Sequence, residues 1–229
     1  MSSIADNFLR VKERMAEAAI RGGRAADSVK LVGATKNVDV HRIREAVSAG
    51  LEILGENYVQ EARDKIEQLA EEVKWHFIGH LQTNKAKYAI KLFDLIETVD
   101  SIRLADELNR RAQRLGRVIP ITVQVNLAGE ISKGGVQTVE CISFIRHISE
   151  LPNLQIKGLM TMPPFFNQPE RARPYFRQLR ELSREIAEAQ LPGVEMKELS
   201  MGMSGDFEVA IEEGATLIRV GTAIFGERP

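Results

Sequence analysis

The sequence predicts an α/β fold: one (β/α)8 barrel of the TIM type with an extra amino-terminal helix, a single domain over residues 1–229. Three observations carry this expectation. Short apolar segments alternate with longer segments of helical period, the short segments number eight, and no glycine-rich fingerprint follows the first of them. Strands that alternate with helices pair in parallel through right-handed crossovers. Eight such units in a chain of 229 residues suit a closed barrel. An open doubly wound sheet is the competing architecture, but it places GxGxxG after its first strand, where this chain has GATKNVD.

The elements follow in order. Ile4, Phe8, Val11, Met15 and Ala18 recur three or four residues apart, which predicts an amphipathic helix that ends at Gly22 and Gly23. The eight strand candidates are KLVGAT, EILG, WHFIG, LIETV, ITVQVN, IKGLMT, KELSM and LIRVG. Between them lie helical stretches such as DVHRIREAVSAG, YVQEARDKIEQLAEEV, SIRLADELNRRAQRLG and VECISFIRHISEL, many closing on Gly or on polar turns. No low-complexity linker or shift of composition marks a second domain.

Composition removes several classes of function. Lys and Arg total 31 against 32 Asp and Glu, a formal net charge of −1 that gives no general attraction to nucleic acid or anionic membrane. A lone cysteine, Cys141, excludes an internal disulfide framework and a multi-cysteine metal site, and in VECISFIRHI it reads as a small buried apolar residue. No apolar run approaches the roughly 18 residues of a membrane span, and the amino terminus lacks the apolar core of a secretory signal. A cytoplasmic protein is expected.

The barrel reading locates the chemistry. Lys36 falls at the carboxyl end of the first strand, where barrel enzymes place their reacting groups. A lysine there is either a solvated or salt-bridged side chain, or an amine able to condense with a carbonyl compound. Two Gly/Ser/Thr-rich turns, in LSMGMSGDFEVAIEEG and TLIRVGTAIFGERP, follow strands seven and eight, where such barrels often bind phosphate. Ser204, Gly205, Gly221 and Thr222 suit that task, although helix capping and turn-making explain them too, and the carboxylate of Asp206 must point away from an anion. Arg219, inside the apolar strand LIRVG, faces the barrel interior or pairs outside with a carboxylate such as Glu208. An amine and a phosphate cradle at one mouth suit pyridoxal 5′-phosphate, and they suit a Schiff-base aldolase of sugar phosphates equally.

In this order ATKN, GENYVQE, WHFIGHLQTNK, QVNLAGEISKGG, GLMTM, LSMGMSGD and IRVGTAIFG resemble the pyridoxal phosphate homeostasis protein family, from Val29 to Arg228. That resemblance implies a barrel related to the amino-terminal domain of alanine racemase, without the racemase's second β domain. It implies that Lys36 carries the internal aldimine, that Ser204, Gly221 and Thr222 hold the phosphate with Gly205 supplying backbone, and that Arg219 faces the pyridine nitrogen. Asn57 and His80 would line the ring and its surroundings, with Met160, Ser200 and Met201 close by. Simpler roles exist for some of these. Asn57 can cap the following helix with Gln60 three residues on, His80 can bond within its loop, and Met160, Met162, Met201 and Met203 recur at the spacing of barrel packing. His76 reads as structural, and Lys85 and Lys87 as solvated.

The expected function is to hold pyridoxal 5′-phosphate for vitamin B6 and amino-acid homeostasis without catalytic turnover, and with no metal. A one-domain racemase is the alternative, but racemisation needs acid–base groups on both faces of the substrate carbon. None of the tyrosines Tyr58, Tyr88 and Tyr175 lies in a motif that assigns it this work. Unidentified apo-enzymes or regulatory proteins are the expected partners, with the basic face around Arg103, Arg110, Arg111, Arg114 and Arg117 as one candidate surface, and a monomer is expected.

Overall fold

A computed structural model describes residues 3–69, 73–130 and 134–227. Ile131, Ser132 and Lys133 of the QVNLAGEISKGG motif, residues 70–72 of the YVQEARDKIEQLAEEV stretch, and Arg228 lie outside the described residues.

Eight parallel strands close into a barrel: β1 (Lys30–Ala34), β2 (Ile53–Glu56), β3 (Lys74–Phe77), β4 (Leu95–Val99), β5 (Ile119–Asn126), β7 (Leu154–Met160), β8 (Val194–Ser200) and β9 (Leu217–Val220). All eight overlap the strands expected, with ends that differ by up to three residues. Closure runs through β9, which lies beside β1 with Arg219 opposite Val32, and through β4 beside β5 with Ile96 opposite Ile121. A two-residue strand, β6 (Val136–Gln137), adds to β5 outside the ring and was not expected.

Helices α2 (Val40–Ser48), α3 (Val59–Leu69), α4 (Ala86–Leu92), α5 (Ile102–Arg114), α6 (Thr138–Ile148), α7 (Arg173–Glu188) and α8 (Phe207–Glu212) occupy the crossovers, and α9 (Thr222–Phe225) follows the last strand. The extra helix, α1 (Ile4–Arg21), is started by a capping box in which Ser3 and Asp6 satisfy each other's backbone N–H. Its apolar stripe of Ile4, Phe8, Val11, Met15 and Ala18 is buried as the spacing required. Arg14 pairs with Glu208 and Arg21 with Glu212 of α8, both at 2.8 Å, which fixes α1 against that helix. Glu208 is thereby engaged outside the barrel, so the pairing of Arg219 with Glu208 is not formed.

Two apolar clusters result from strand alternation. Outward-facing residues such as Leu54, Phe77, Ile96 and Ile218 join the helices in the main core. Val32, Ile53, Leu95 and Leu217 form a separate cluster inside the barrel. Above that inner plug the interior turns polar: His76, Glu97, Ser200 and Arg219 are all buried. No helix among the described residues is long and apolar enough to cross a membrane.

Candidate functional site

The polar interior is built around Glu97 of β4. One carboxylate oxygen lies 2.7 Å from His76 Nδ1, and the other accepts from the Ser200 hydroxyl at 2.5 Å. Arg219 donates through Nη1 to Ser200 Oγ at 2.5 Å and through Nη2 to the Thr161 carbonyl at 2.8 Å. Burial opposes the Glu97 charge, but the bonds from His76 and Ser200 and the charge of Arg219 outweigh it and hold the carboxyl below its usual range. Arg219 is buried apart from the part that borders a neighbouring cavity; burial draws its pKa down, while Glu97 and Asp206 pull the other way. The guanidinium remains a cation.

Beside Arg219 a cavity of about 300 Å³ opens at the carboxyl ends of β1, β8 and β9, at the small end of the range typical of ligand sites. Ser204, Gly205, Asp206, Arg219, Gly221 and Thr222 line it, with Ala34 on the β1 side. Ser204 Oγ accepts from the N–H groups of Gly221 and Ala223 at 3.3 Å, tying the two glycine-containing turns together. The capping role open to Ser204 is thus realised across loops. Gly202 makes the turn that brings Ser204 there: its φ is +94°, and a Cβ would stand 2.6 Å from the Ala210 methyl. At Gly205 a Cβ would meet nothing within 4 Å, so this backbone borders open space. Asp206 accepts from Met203 N–H at 2.6 Å, so its carboxylate bonds back to its own turn. Burial raises its pKa against that bond and the nearby Arg219.

Lys36 stands two residues beyond Ala34, in a turn pinned from α3. Lys65 Nζ donates to the Thr35 carbonyl at 2.6 Å, and Asn37 N–H donates to Glu61 at 2.6 Å. Asn37 has φ +57°, a left-handed conformation that asparagine tolerates. Lys36 itself is half-buried and does not line the 300 Å³ cavity; its Nζ lies 5.1 Å from the centroid of the Tyr58 ring, within cation–π range.

Other expected positions separate. Asn57 and His80 line a second cavity of about 370 Å³ at the ends of β2 and β3, together with Tyr58 and Lys85. Asn57 does not cap α3, because Ala62 N–H donates to the Tyr58 carbonyl and Tyr58 therefore precedes the helix. Met160 is buried in the barrel wall outside the main core, whereas Met201 packs within that core and Met203 reaches the cavity. His76 is structural in the sense expected, although its partner Glu97 was not anticipated. Phe165 and Phe166 also border the 300 Å³ cavity, Phe165 being 81% exposed. They sit in the irregular stretch MPPFFNQ, where an aromatic pair with no periodicity to bury it was the available signal. On the basic face around α5, Arg110 and Arg111 pair with Glu107, and Arg117, beyond the end of the helix, donates to the Ile90 carbonyl.

A parallel barrel with an interior cation and a turn-built cavity at its carboxyl end defines a class, and comparison with known proteins agrees. The chain belongs to the family described as the alanine racemase N-terminal domain, which matches residues 1–229. Within it, the chain is 48% identical over 224 residues to the pyridoxal phosphate homeostasis protein of Aquifex aeolicus, covering 97% of each chain. PipY of Synechococcus elongatus, solved with PLP bound, superposes with a TM-score of 0.82 at 38% identity, over 94% of this chain and 100% of PipY. Alanine racemase of Clostridium difficile shares the fold alone, with a TM-score of 0.75 at 17% identity over 98% of this chain and 57% of the racemase.

Proposed function

We propose that this protein binds pyridoxal 5′-phosphate through Lys36 and serves intracellular vitamin B6 and amino-acid homeostasis without catalytic turnover. The observation that carries the reading is the shared cavity. Ser204, Gly205, Gly221 and Thr222 with the fixed cation Arg219 form one wall, and the strand leading to Lys36 forms another. The relatives named for pyridoxal phosphate homeostasis, and PipY with its PLP, support it.

The residues fit the group. Backbone N–H donors and hydroxyls of the two turns suit a phosphate, Arg219 suits the ring nitrogen, and the Lys36 amine suits the aldehyde. Asn57 and His80 line the second cavity on the β2–β3 side, Ser200 bonds Arg219, and Met160 and Met201 are buried without lining the 300 Å³ cavity. When bound, the cofactor supplies an aldehyde that exchanges between amines and a ring able to withdraw electrons. Arg219 beside the ring nitrogen disfavours its protonation and weakens that withdrawal, which favours storage and hand-over. The protein's own part is to bind, orient and release.

Residues 1–229 act as one binding unit on this reading, since the barrel closes β9 onto β1. A monomer in the cytoplasm that delivers its cargo to apo-enzymes or answers to a regulatory protein completes the proposal. One observation favours a second reading, a one-domain racemase: Tyr58 stands beside Lys36. Both groups, however, sit on the β1–β2 side, and racemisation needs two faces.

The test is to load the purified protein with excess pyridoxal 5′-phosphate, remove what is free, and record the visible spectrum, then follow the α-proton of alanine in deuterium oxide. A coloured protein that exchanges no α-proton is expected. A colourless protein defeats the binding reading, and cofactor-dependent exchange moves the assignment to the racemase.

A further inference from the structure

The polar groups inside the barrel are not explained by stability. Replacing a buried ion pair by apolar residues of like volume is often neutral or favourable, so Glu97, Ser200 and Arg219 call for a reason of another kind. Their geometry supplies one. Arg219 carries five N–H donors, of which one is bonded to Ser200 and one to the Thr161 carbonyl, and its side chain borders the cavity. Ser200 accepts from Arg219 and donates to Glu97, whose other oxygen meets His76. The Arg219 and Glu97 charges are themselves 3.9 Å apart. Glu97 thus meets the cation through Ser200, outside the cavity lining, and its two oxygens are both held.

We propose that Glu97 is the positioning residue for Arg219: acting through Ser200, it holds the guanidinium at the cavity wall and offsets its charge. The proposal rests on the reading in which Arg219 faces the ring of the bound cofactor. Glu97 is absent from the cavity lining and is linked to it through Ser200 and Arg219, so its influence on a ligand passes through that cation. His76 then has a defined task. With a carboxylate as acceptor its Nδ1 carries the proton, and that bond fixes the carboxylate plane that Ser200 reads.

The test is a double-mutant cycle of Glu97→Gln and Arg219→Gln, with two readouts. One is the rate at which pyridoxal 5′-phosphate dissociates from the loaded protein, together with the position of its visible band. The other is the urea midpoint of the cofactor-free protein. Glu97→Gln alone is expected to speed release by about tenfold and shift the band, and to do neither once Arg219 is already Gln. Ser200→Ala, which keeps both charges and removes the bridge, is expected to act in the same direction and guards against a Glu97 variant that fails to fold. In the cofactor-free cycle the two substitutions are expected to be non-additive. Additive effects on release and on the urea midpoint overturn the proposal while leaving cofactor binding intact. A parent protein that takes up no cofactor at all removes the binding reading, and the proposal with it.

Discussion

Lys65 Nζ donates to the carbonyl oxygen of Thr35 at 2.6 Å, so a buried cation on α3 holds the peptide immediately before Lys36. The same ammonium bonds Glu56 at 2.6 Å and Glu61 at 2.7 Å, and Glu61 in turn accepts from Asn37 N–H. The turn that presents Lys36 is therefore gripped on both sides by one ion cluster. Burial raises the Glu56 carboxyl above its ordinary range against the pull of Lys65.

Lys65→Met is the corresponding test. It leaves Glu56 buried without its cation and is expected to cost about 3–5 kcal/mol in urea unfolding. A loss below about 1 kcal/mol would show that the cluster does not hold the turn.

Gly79→Ala is expected to disturb the second cavity. A Cβ there would stand 2.3 Å from the Asn57 carbonyl oxygen, and that backbone cannot yield as a side-chain tip would. Destabilisation of about 3 kcal/mol is expected, checked by thermal or urea unfolding.

Acid is expected to loosen the contacts between α7 and α8. Arg173 bonds Glu212 and lowers its pKa from 4.5; burial opposes the charge of Glu213, but Arg177 and Arg173 prevail and lower it too. A carboxylate with a lower pKa folded than unfolded adds stability above its unfolded value and loses it as pH falls through the folded value. The urea midpoint should therefore drop as the pH falls below about 4.5, and Arg173→Gln should show a shallower drop. An unchanged slope in that variant would remove Arg173 as the cause.

Cys141 is buried, and burial pushes its thiol up to about 12. A thiol reagent at pH 8 should leave the folded protein unlabelled and take up one equivalent after denaturation. Rapid labelling of the native protein would place Cys141 at the surface.

The barrel was legible because its strands are apolar and β-branched on both faces, as in LIETV and LIRVG, and its helices carry periodic stripes. Arg219 stood out as a charge in an apolar strand. Glu97 carried the same signal in LIETV, but its meaning depends on Ser200, 103 residues away, and no local pattern links the two. Lys65 looks like any helix-surface lysine in EARDKIEQ, and only the fold turns it inward. Met201 and Met203 share a spacing of two, yet the strand ends at Ser200 and the turn sends one to the core and the other to the cavity.

The most direct measurement is to load the protein with pyridoxal 5′-phosphate, reduce it with borohydride, and locate the modified residue by peptide mass spectrometry. The account predicts one pyridoxyl adduct, on the peptide containing Lys36. An adduct confined to other lysines, or none at all, would contradict it.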